Sequence, residues 1–179
     1  MRKIIAVGGV PGTGKTTLFR KFMESLEWEK IEPVKMLPML FNKEHNLYIL
    51  GKYEDGEVFA GTDRLSMAVQ PIAQEWIKNV DGNVLFEGDR IFNQSFLEFA
   101  TSLNSVEVDV VYLKAPQSIL EQRYADRGSD QSETFLKGRA TKYNNILSSF
   151  DLMSYITEFN NTNLEEQAKV LEFLNKKLK

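Results

Sequence analysis

Eight residues carry the clearest chemistry in this chain: Gly9-Val10-Pro11-Gly12-Thr13-Gly14-Lys15-Thr16. They fit the pattern G-x-x-x-x-G-K-[ST] without a gap. The residue types suit an anion. Glycines let the backbone curl so that successive N–H groups converge on a phosphate. Lys15 reaches the outer phosphates as a point charge, and the Thr16 hydroxyl can ligate Mg²⁺. A helix beginning near Thr16 adds the positive end of its dipole to the same place. Gly9, Gly12, Thr13, Gly14, Lys15, Thr16 and Thr17 are therefore the candidate phosphate-binding set, with Lys15 also catalytic. A glycine-rich turn that binds nothing is the plain alternative, and the flanking elements argue against it.

Acids and cations elsewhere complete the candidate chemistry. Asn83–Arg90 reads as a buried strand that runs into Glu87, Asp89 and Arg90. Glu87 and Asp89 lie on the same side of an extended chain. Asp63 and Asp89 compete for the role of general base, which must reach an acceptor hydroxyl while ionised. Glu87 is the candidate metal group beside Thr16, or the roles of Glu87 and Asp89 are exchanged; the spacing leaves both open. Asp63 also suits a simple helix cap. Arg64 and Arg90 follow the two aspartates and could clamp an acceptor phosphate or merely pair with the neighbouring acid. Arg123 and Arg127 share a helix face, and Lys137, Arg139 and Lys142 return on the following helix. Between residues 123 and 142 there are five basic and three acidic side chains, in a chain that is acidic as a whole. Such a segment reads as a lid, hinged at Gly128, that neutralises charge on a transferring phosphoryl group. A solvated helix face is the alternative for Arg123 and Arg127.

The elements that position these residues alternate strand and helix, which predicts an α/β fold with a mostly parallel sheet. Ile4–Val7 is a buried strand, and Thr17–Leu26 an amphipathic helix. Residues 31–62 interrupt the rhythm. Val34–Phe41, Leu47–Tyr53 and Val58–Ala60 read as strands of an antiparallel hairpin insertion. Phe41, Tyr48, Tyr53 and Phe59 there either stack on an acceptor base or pack the hairpins. His45, the single histidine, falls at a turn tip and draws no catalytic role. Thr62 or Asp63 is expected to cap a helix carrying Leu65, Val69, Ile72, Trp76 and Val80, bent at Pro71. Helices follow at Ser95–Leu103, from Pro116 to about Arg127, and from Ser132 to about Phe150. Val108–Leu113 and Tyr155–Phe159 are further strands. Gly128–Ser132 is a break, and Asn163 with Glu166 caps the last helix.

Composition bounds the reading. The chain has 179 residues, 42% hydrophobic and 26% charged, ordinary for one soluble domain. No apolar run approaches the roughly 18 residues of a membrane span, so no membrane partner is expected. There is no cysteine, which fits a reducing cytosol. The net charge of −3 argues mildly against a dedicated nucleic-acid binder.

Together these residues resemble the P-loop kinases of nucleosides and nucleotides. The resemblance spans 1–179 as a single domain and rests on the phosphate loop, the strand ending at Glu87–Arg90, the arginine-bearing lid (about 123–142) and the Asn160–Asn163 turn. It implies a three-layer fold with a mostly parallel five-stranded sheet, a hairpin insertion (about 31–62), ATP and Mg²⁺ as cofactors, and adenine contacts from Asn161 or Thr162. Asp89-Arg90 with Ser95 loosely resembles the signature of thymidylate kinases. Gly61-Thr62-Asp63-Arg64-Leu65-Ser66-Met67 and Phe135-Leu136-Lys137-Gly138-Arg139 are similar to phage-type kinases that phosphorylate 5-hydroxymethyluracil within DNA. That likeness implies a phage-encoded enzyme working in the host cytoplasm, with Asp63, Arg64, Arg90, Lys137 and Arg139 on the acceptor, a nucleotide or DNA. A base inside a duplex must be exposed before it can react, so this reading needs base flipping or a melted substrate. The alternative acceptor is a free nucleoside monophosphate. A GTPase is disfavoured, since no Asn-Lys-x-Asp motif is present. A non-catalytic nucleotide-binding module is the remaining class.

Overall fold

A computed structural model describes residues 1–57, 59–128 and 132–179. At its centre is β1 (Arg2–Gly8), whose Ile4, Ile5, Ala6 and Val7 are wholly inaccessible to solvent. A strand buried on both faces must have neighbours on both edges and layers above and below. Its edges pair in parallel with β5 (Asn83–Glu87) and β6 (Val106–Lys114), with Val7 opposite Glu87 and Gly8 opposite Tyr112.

The remaining strands extend this sheet. β7 (Ile156–Asn160) pairs with β6 and β4 (Leu47–Leu50) with β5, both in parallel. β3 (Met39–Asn42) and β2 (Glu29–Ile31) are added antiparallel, each to its neighbour. The order is β2-β3-β4-β5-β1-β6-β7. Five contiguous strands, β4 to β7 in space, are thus parallel as expected, and the sheet has seven strands in all.

The insertion differs from its sequence reading. Its strands are shorter than predicted and they belong to the main sheet. Leu47–Leu50 covers the open edge of β5, where unpaired backbone groups would otherwise be exposed. A turn at Val34–Leu37, with Met36 at φ 75°, replaces the start of the predicted strand. Phe59 and Ala60 form no strand; Val58 lies outside the described residues, as do Ser129–Gln131 of the predicted break.

Helices cover both faces, and the alternation along β1 selects the partners. Ile4 and Ala6 join the cluster with α2 (Val69–Asn79), α3 (Gln94–Ser102) and α5 (Glu133–Leu147). Ile5 and Val7 join the cluster with α1 (Lys15–Met23) and α6 (Leu164–Leu178). α4 (Gln117–Asp126) packs on the loop that follows β1. Phe19, Phe22, Phe86 and Phe96 are each fully buried or nearly so, and burial of such a ring contributes about 1.5–3 kcal/mol.

The predicted helix after Gly61 is displaced. Thr62–Arg64 makes a single 3₁₀ turn, and α2 starts only at Val69. Pro71 then falls in the first turn, where its missing N–H costs nothing, and the helix runs on to Asn79. The buried stripe of α2 is Val69, Ala73 and Ile77, with Ile72 and Trp76 at its margin. α5 ends at Leu147, short of Phe150. The two other predicted caps form: Ser132 accepts from the Phe135 N–H, and Asn163 from the Glu166 N–H.

Candidate active site

The phosphate loop leaves the end of β1 and enters α1 through Gly14, whose φ of 86° is open to glycine and strained for other residues. A side chain there would also meet the Asn161 amide at 2.7 Å. Five consecutive loop carbonyls have donors. Lys15 Nζ donates to Gly9 (2.6 Å), and the Thr13 hydroxyl to Val10 (2.9 Å). The Tyr124 hydroxyl donates to Pro11, Arg123 Nη1 to Gly12 (2.7 Å) and Asn161 Nδ2 to Thr13 (2.7 Å). In a trans peptide the N–H points opposite to the C=O. The Gly12 and Gly14 amides therefore point away from Tyr124 and Asn161, and the first-turn amides of α1 add to them.

Glu87 ends β5 beside this loop and is 1% exposed. Its Oε1 accepts from the Thr16 hydroxyl (3.0 Å) and the Tyr53 hydroxyl (3.1 Å). Thr62 donates to the Glu87 carbonyl (2.9 Å). Gly61 packs so close that a Cβ would lie 2.8 Å from Glu87 Oε1. Burial pushes the Glu87 carboxyl up to about 7, against the pull of the Lys15 charge and the two hydroxyl bonds, while Asp63 adds to the rise.

The two aspartates have separate environments. Asp63 Oδ1 accepts from the Asp89 N–H (2.9 Å), so it caps no helix. Burial raises its pKa, and Asp89 raises it further, with Lys15 opposing. Among the described residues Asp63 has no salt bridge. Asp89 accepts from the Tyr143 hydroxyl and lies 3.5 Å from Arg139 Nε and 3.7 Å from Lys142 Nζ. Lys142 also donates to the Asp89 carbonyl (2.9 Å). Asp89 is thus pinned and charge-compensated by α5, whereas Asp63 has no such ion-pair partner among the described residues.

Residues 1–160 match the family model described as P-loop Nucleotide Kinase3. The chain belongs to the P-loop Nucleotide Kinase3 family. No curated protein matches it. Two solved structures align with it over almost their full lengths, the first of them with the same fold. An unliganded sugar kinase from Janibacter sp. HTCC2649 is 14% identical with a TM-score of 0.54, covering 98% of this chain and 95% of that one. A gluconokinase from Sinorhizobium meliloti 1021 is 15% identical with a TM-score of 0.47, covering 98% of each chain.

In this P-loop kinase the other predicted residues divide into those at the loop, those at the acids and those at the surface. Arg123 is fixed by the carbonyls of Gly12 and Asn161 (2.8 Å to the latter), behind the loop. Arg127 is exposed, with its guanidinium 5.8 Å from the Tyr124 ring centre. Asn161 is buried with its amide spent on Thr13, and Thr162 is bonded to Glu166. Thr17 is exposed at the first turn of α1. Arg64 pairs with Glu57. Arg90 approaches the Asp63 carbonyl at 3.5 Å, and its buried Nε has no partner among the described residues. Arg139 joins the acids and stacks over Phe135 at 4.9 Å, whereas Lys137 turns outward to Glu133.

Sequence reasoning left two tyrosines of the site unassigned, Tyr124 and Tyr143. Tyr143 follows Arg139 by four residues and so shares its helix face, a signal present in the spacing. Tyr53 packs on Phe19 at 6.0 Å and touches Glu87. Phe41 and Tyr48 stack at 4.6 Å within the sheet. Of the four aromatics proposed for base stacking, only Phe59 stays open, at 65% exposure. His45 sits in its turn near Glu44. No described helix is long and apolar enough to cross a membrane.

The oxygen donors beside the loop fit Mg²⁺. No group of three or more ligating acids or histidines exists among the described residues. Mg²⁺ uses one or two protein oxygens and completes its shell with phosphates and water. Thr16 and Glu87 supply such a pair.

Proposed function

We propose that this chain is an ATP- and Mg²⁺-dependent phosphotransferase that phosphorylates a hydroxyl on a nucleotide-type acceptor, the best reading being the 5-hydroxymethyl group of 5-hydroxymethyluracil in DNA. The observation that carries the kinase reading is the Thr16–Glu87 contact at the mouth of the loop, with Asp63 bonded to the Asp89 N–H just past the end of β5. Lys15 leaves the Gly9 carbonyl for the β- and γ-phosphates, and the amides of Gly12 and Gly14 hold the same anion. Thr16 and Glu87 hold Mg²⁺, which when bound neutralises charge on the phosphate oxygens. Asp63 accepts the proton of the acceptor hydroxyl as its oxygen bonds to the γ-phosphorus and ADP departs. Asp63 is favoured over Asp89 because Asp89 is already held by Tyr143, Arg139 and Lys142. Arg127 supplies the lid charge, since Arg123 is committed to loop carbonyls. Most of the acceleration comes from positioning and charge neutralisation.

Two observations support a base in DNA as acceptor. The stretches 61–67 and 135–139 meet at one point: Asp63 bonds Asp89, and Asp89 is held by Arg139. Phe59 and Met67, at 65% and 85% exposure, flank the Asp63 segment in sequence and offer apolar surface to unstacked bases. A free nucleoside monophosphate is the second reading. It is favoured by the Nε of Arg90 near Asp63, which has no partner among the described residues and suits an acceptor phosphate. Incubation with γ-labelled ATP and hydroxymethyluracil DNA, thymine DNA, each deoxynucleoside monophosphate and a sugar panel tests both. Label on the hydroxymethylated base alone supports the DNA reading. Label only on a free nucleotide or a sugar removes it.

A further inference from the structure

Three successive loop carbonyls, those of Pro11, Gly12 and Thr13, are held by Tyr124, Arg123 and Asn161. Two of these donors are adjacent on α4, so one helix grips the outer side of the loop. The Tyr124 ring closes against it as well: a Cβ on Gly12 would lie 2.8 Å from that ring. The same ring carries Arg127, whose guanidinium lies 5.8 Å from its centre.

We propose that Tyr124 is a positioning residue for phosphoryl transfer, its hydroxyl setting the Pro11–Gly12 peptide and its ring carrying Arg127 toward the phosphates. This rests on the kinase reading above. Among the described residues the Tyr124 hydroxyl is the donor to the Pro11 carbonyl, and so it orients the Pro11–Gly12 peptide. Gly12, at φ 88°, sits where glycine exchanges easily among conformers. The Tyr124 hydroxyl is the bond that holds the Pro11 carbonyl outward and hence the Gly12 N–H inward. Arg123 and Asn161 perform the same task for the next two planes. The ring offers Arg127 a cation–π shelf at an otherwise exposed site.

Two substitutions separate hydroxyl from ring. Tyr124→Phe removes only the hydroxyl; Tyr124→Leu removes both. Hydrogen exchange across residues 9–16 is measured without nucleotide, then the ATP dissociation constant, kcat and melting temperature. Tyr124→Phe is expected to speed exchange in the loop and weaken ATP about fivefold, the loss of one neutral hydrogen bond, with kcat within about twofold. Tyr124→Leu is expected to do the same to affinity and to lower kcat at least about tenfold, as Arg127 loses its shelf. Loop exchange and affinity in Tyr124→Phe equal to the parent overturn the hydroxyl role. So does a fall in melting temperature with exchange raised evenly over the whole protein, the mark of a merely structural tyrosine. Equal kcat in the two variants overturns the shelf. Because the exchange arm uses no nucleotide, a parent that fails to bind ATP defeats the kinase reading and leaves this test decisive.

Discussion

Replacing Glu87 with glutamine separates what the site costs in stability from what it contributes to chemistry. The carboxyl titrates near 7 in the folded protein, raised from 4.5 mainly by burial. An acid with a raised folded pKa binds more protons folded than unfolded between those two values. Stability is therefore highest below about 4.5, falls as pH rises through the window, and levels off above about 7. At about 1.4 kcal/mol per pH unit the penalty at pH 8 is about 3 kcal/mol. The amide oxygen of glutamine can accept the Thr16 and Tyr53 hydroxyls that Glu87 now accepts. Glu87→Gln should leave stability little changed at pH 4.5 and raise it by about 3 kcal/mol at pH 8. For a chain of this length that is a gain in Tm of about 6 °C or more. Phosphoryl transfer should fall by about a hundredfold or more, because a metal-facing charge is lost. Urea unfolding of both proteins in metal-free buffer at pH 4.5, 6 and 8 reads the first effect. A stability difference that is the same at all three pH values would falsify the claim that Glu87 is a buried, strained carboxylate.

Other substitutions test the remaining roles. Asp63→Asn should cut turnover by about 10²–10⁴-fold with ATP affinity retained, the usual scale for a general base, whereas Asp89→Asn should act mainly on stability by loosening α5; steady-state kinetics and melting curves on both tell them apart, and a larger turnover loss in Asp89→Asn would reverse the assignment. Gly14→Ala places a Cβ at φ 86° and 2.7 Å from the Asn161 amide, so it should cost about 1–3 kcal/mol and abolish ATP binding; a stable variant with normal affinity would show that the loop has another shape. Arg127→Ala should lower kcat while leaving Tm unchanged, and Arg123→Ala should lower both Tm and ATP affinity, since its guanidinium joins the loop to the turn before α6.

Local signals were readable where the chemistry is local. The loop is spelled by its own residues, and the Ser132 and Asn163 caps follow from side chains within three positions of the amides they bind. The burial of Ile4–Val7 was evident from an unbroken apolar run. Strand pairing was not, because Leu47–Leu50 finds β5 across 35 intervening positions in the Leu47–Asn83 register, and nothing near Leu47 records that choice. The helix assigned directly after Asp63 failed for a related reason: Thr62 and Asp63, good capping residues in isolation, are drawn to the Glu87 carbonyl and the Asp89 amide. Arg123 and Arg127 share one face by spacing, yet only contacts with Gly12, Asn161 and Tyr124 show that one is bonded behind the loop and the other lies exposed over a ring. Tyr53 and Tyr124 reach the site through long-range packing and left no periodic trace.

The central claim is that the amides ahead of α1, with Lys15, grasp a triphosphate. Titration calorimetry of MgATP into the parent and into Lys15→Ala tests it most directly. The account predicts a parent dissociation constant between about 1 μM and 1 mM, the range in which such substrates work, and binding at least about tenfold weaker in the variant. No heat of binding to the parent, or the same affinity in both proteins, would contradict it.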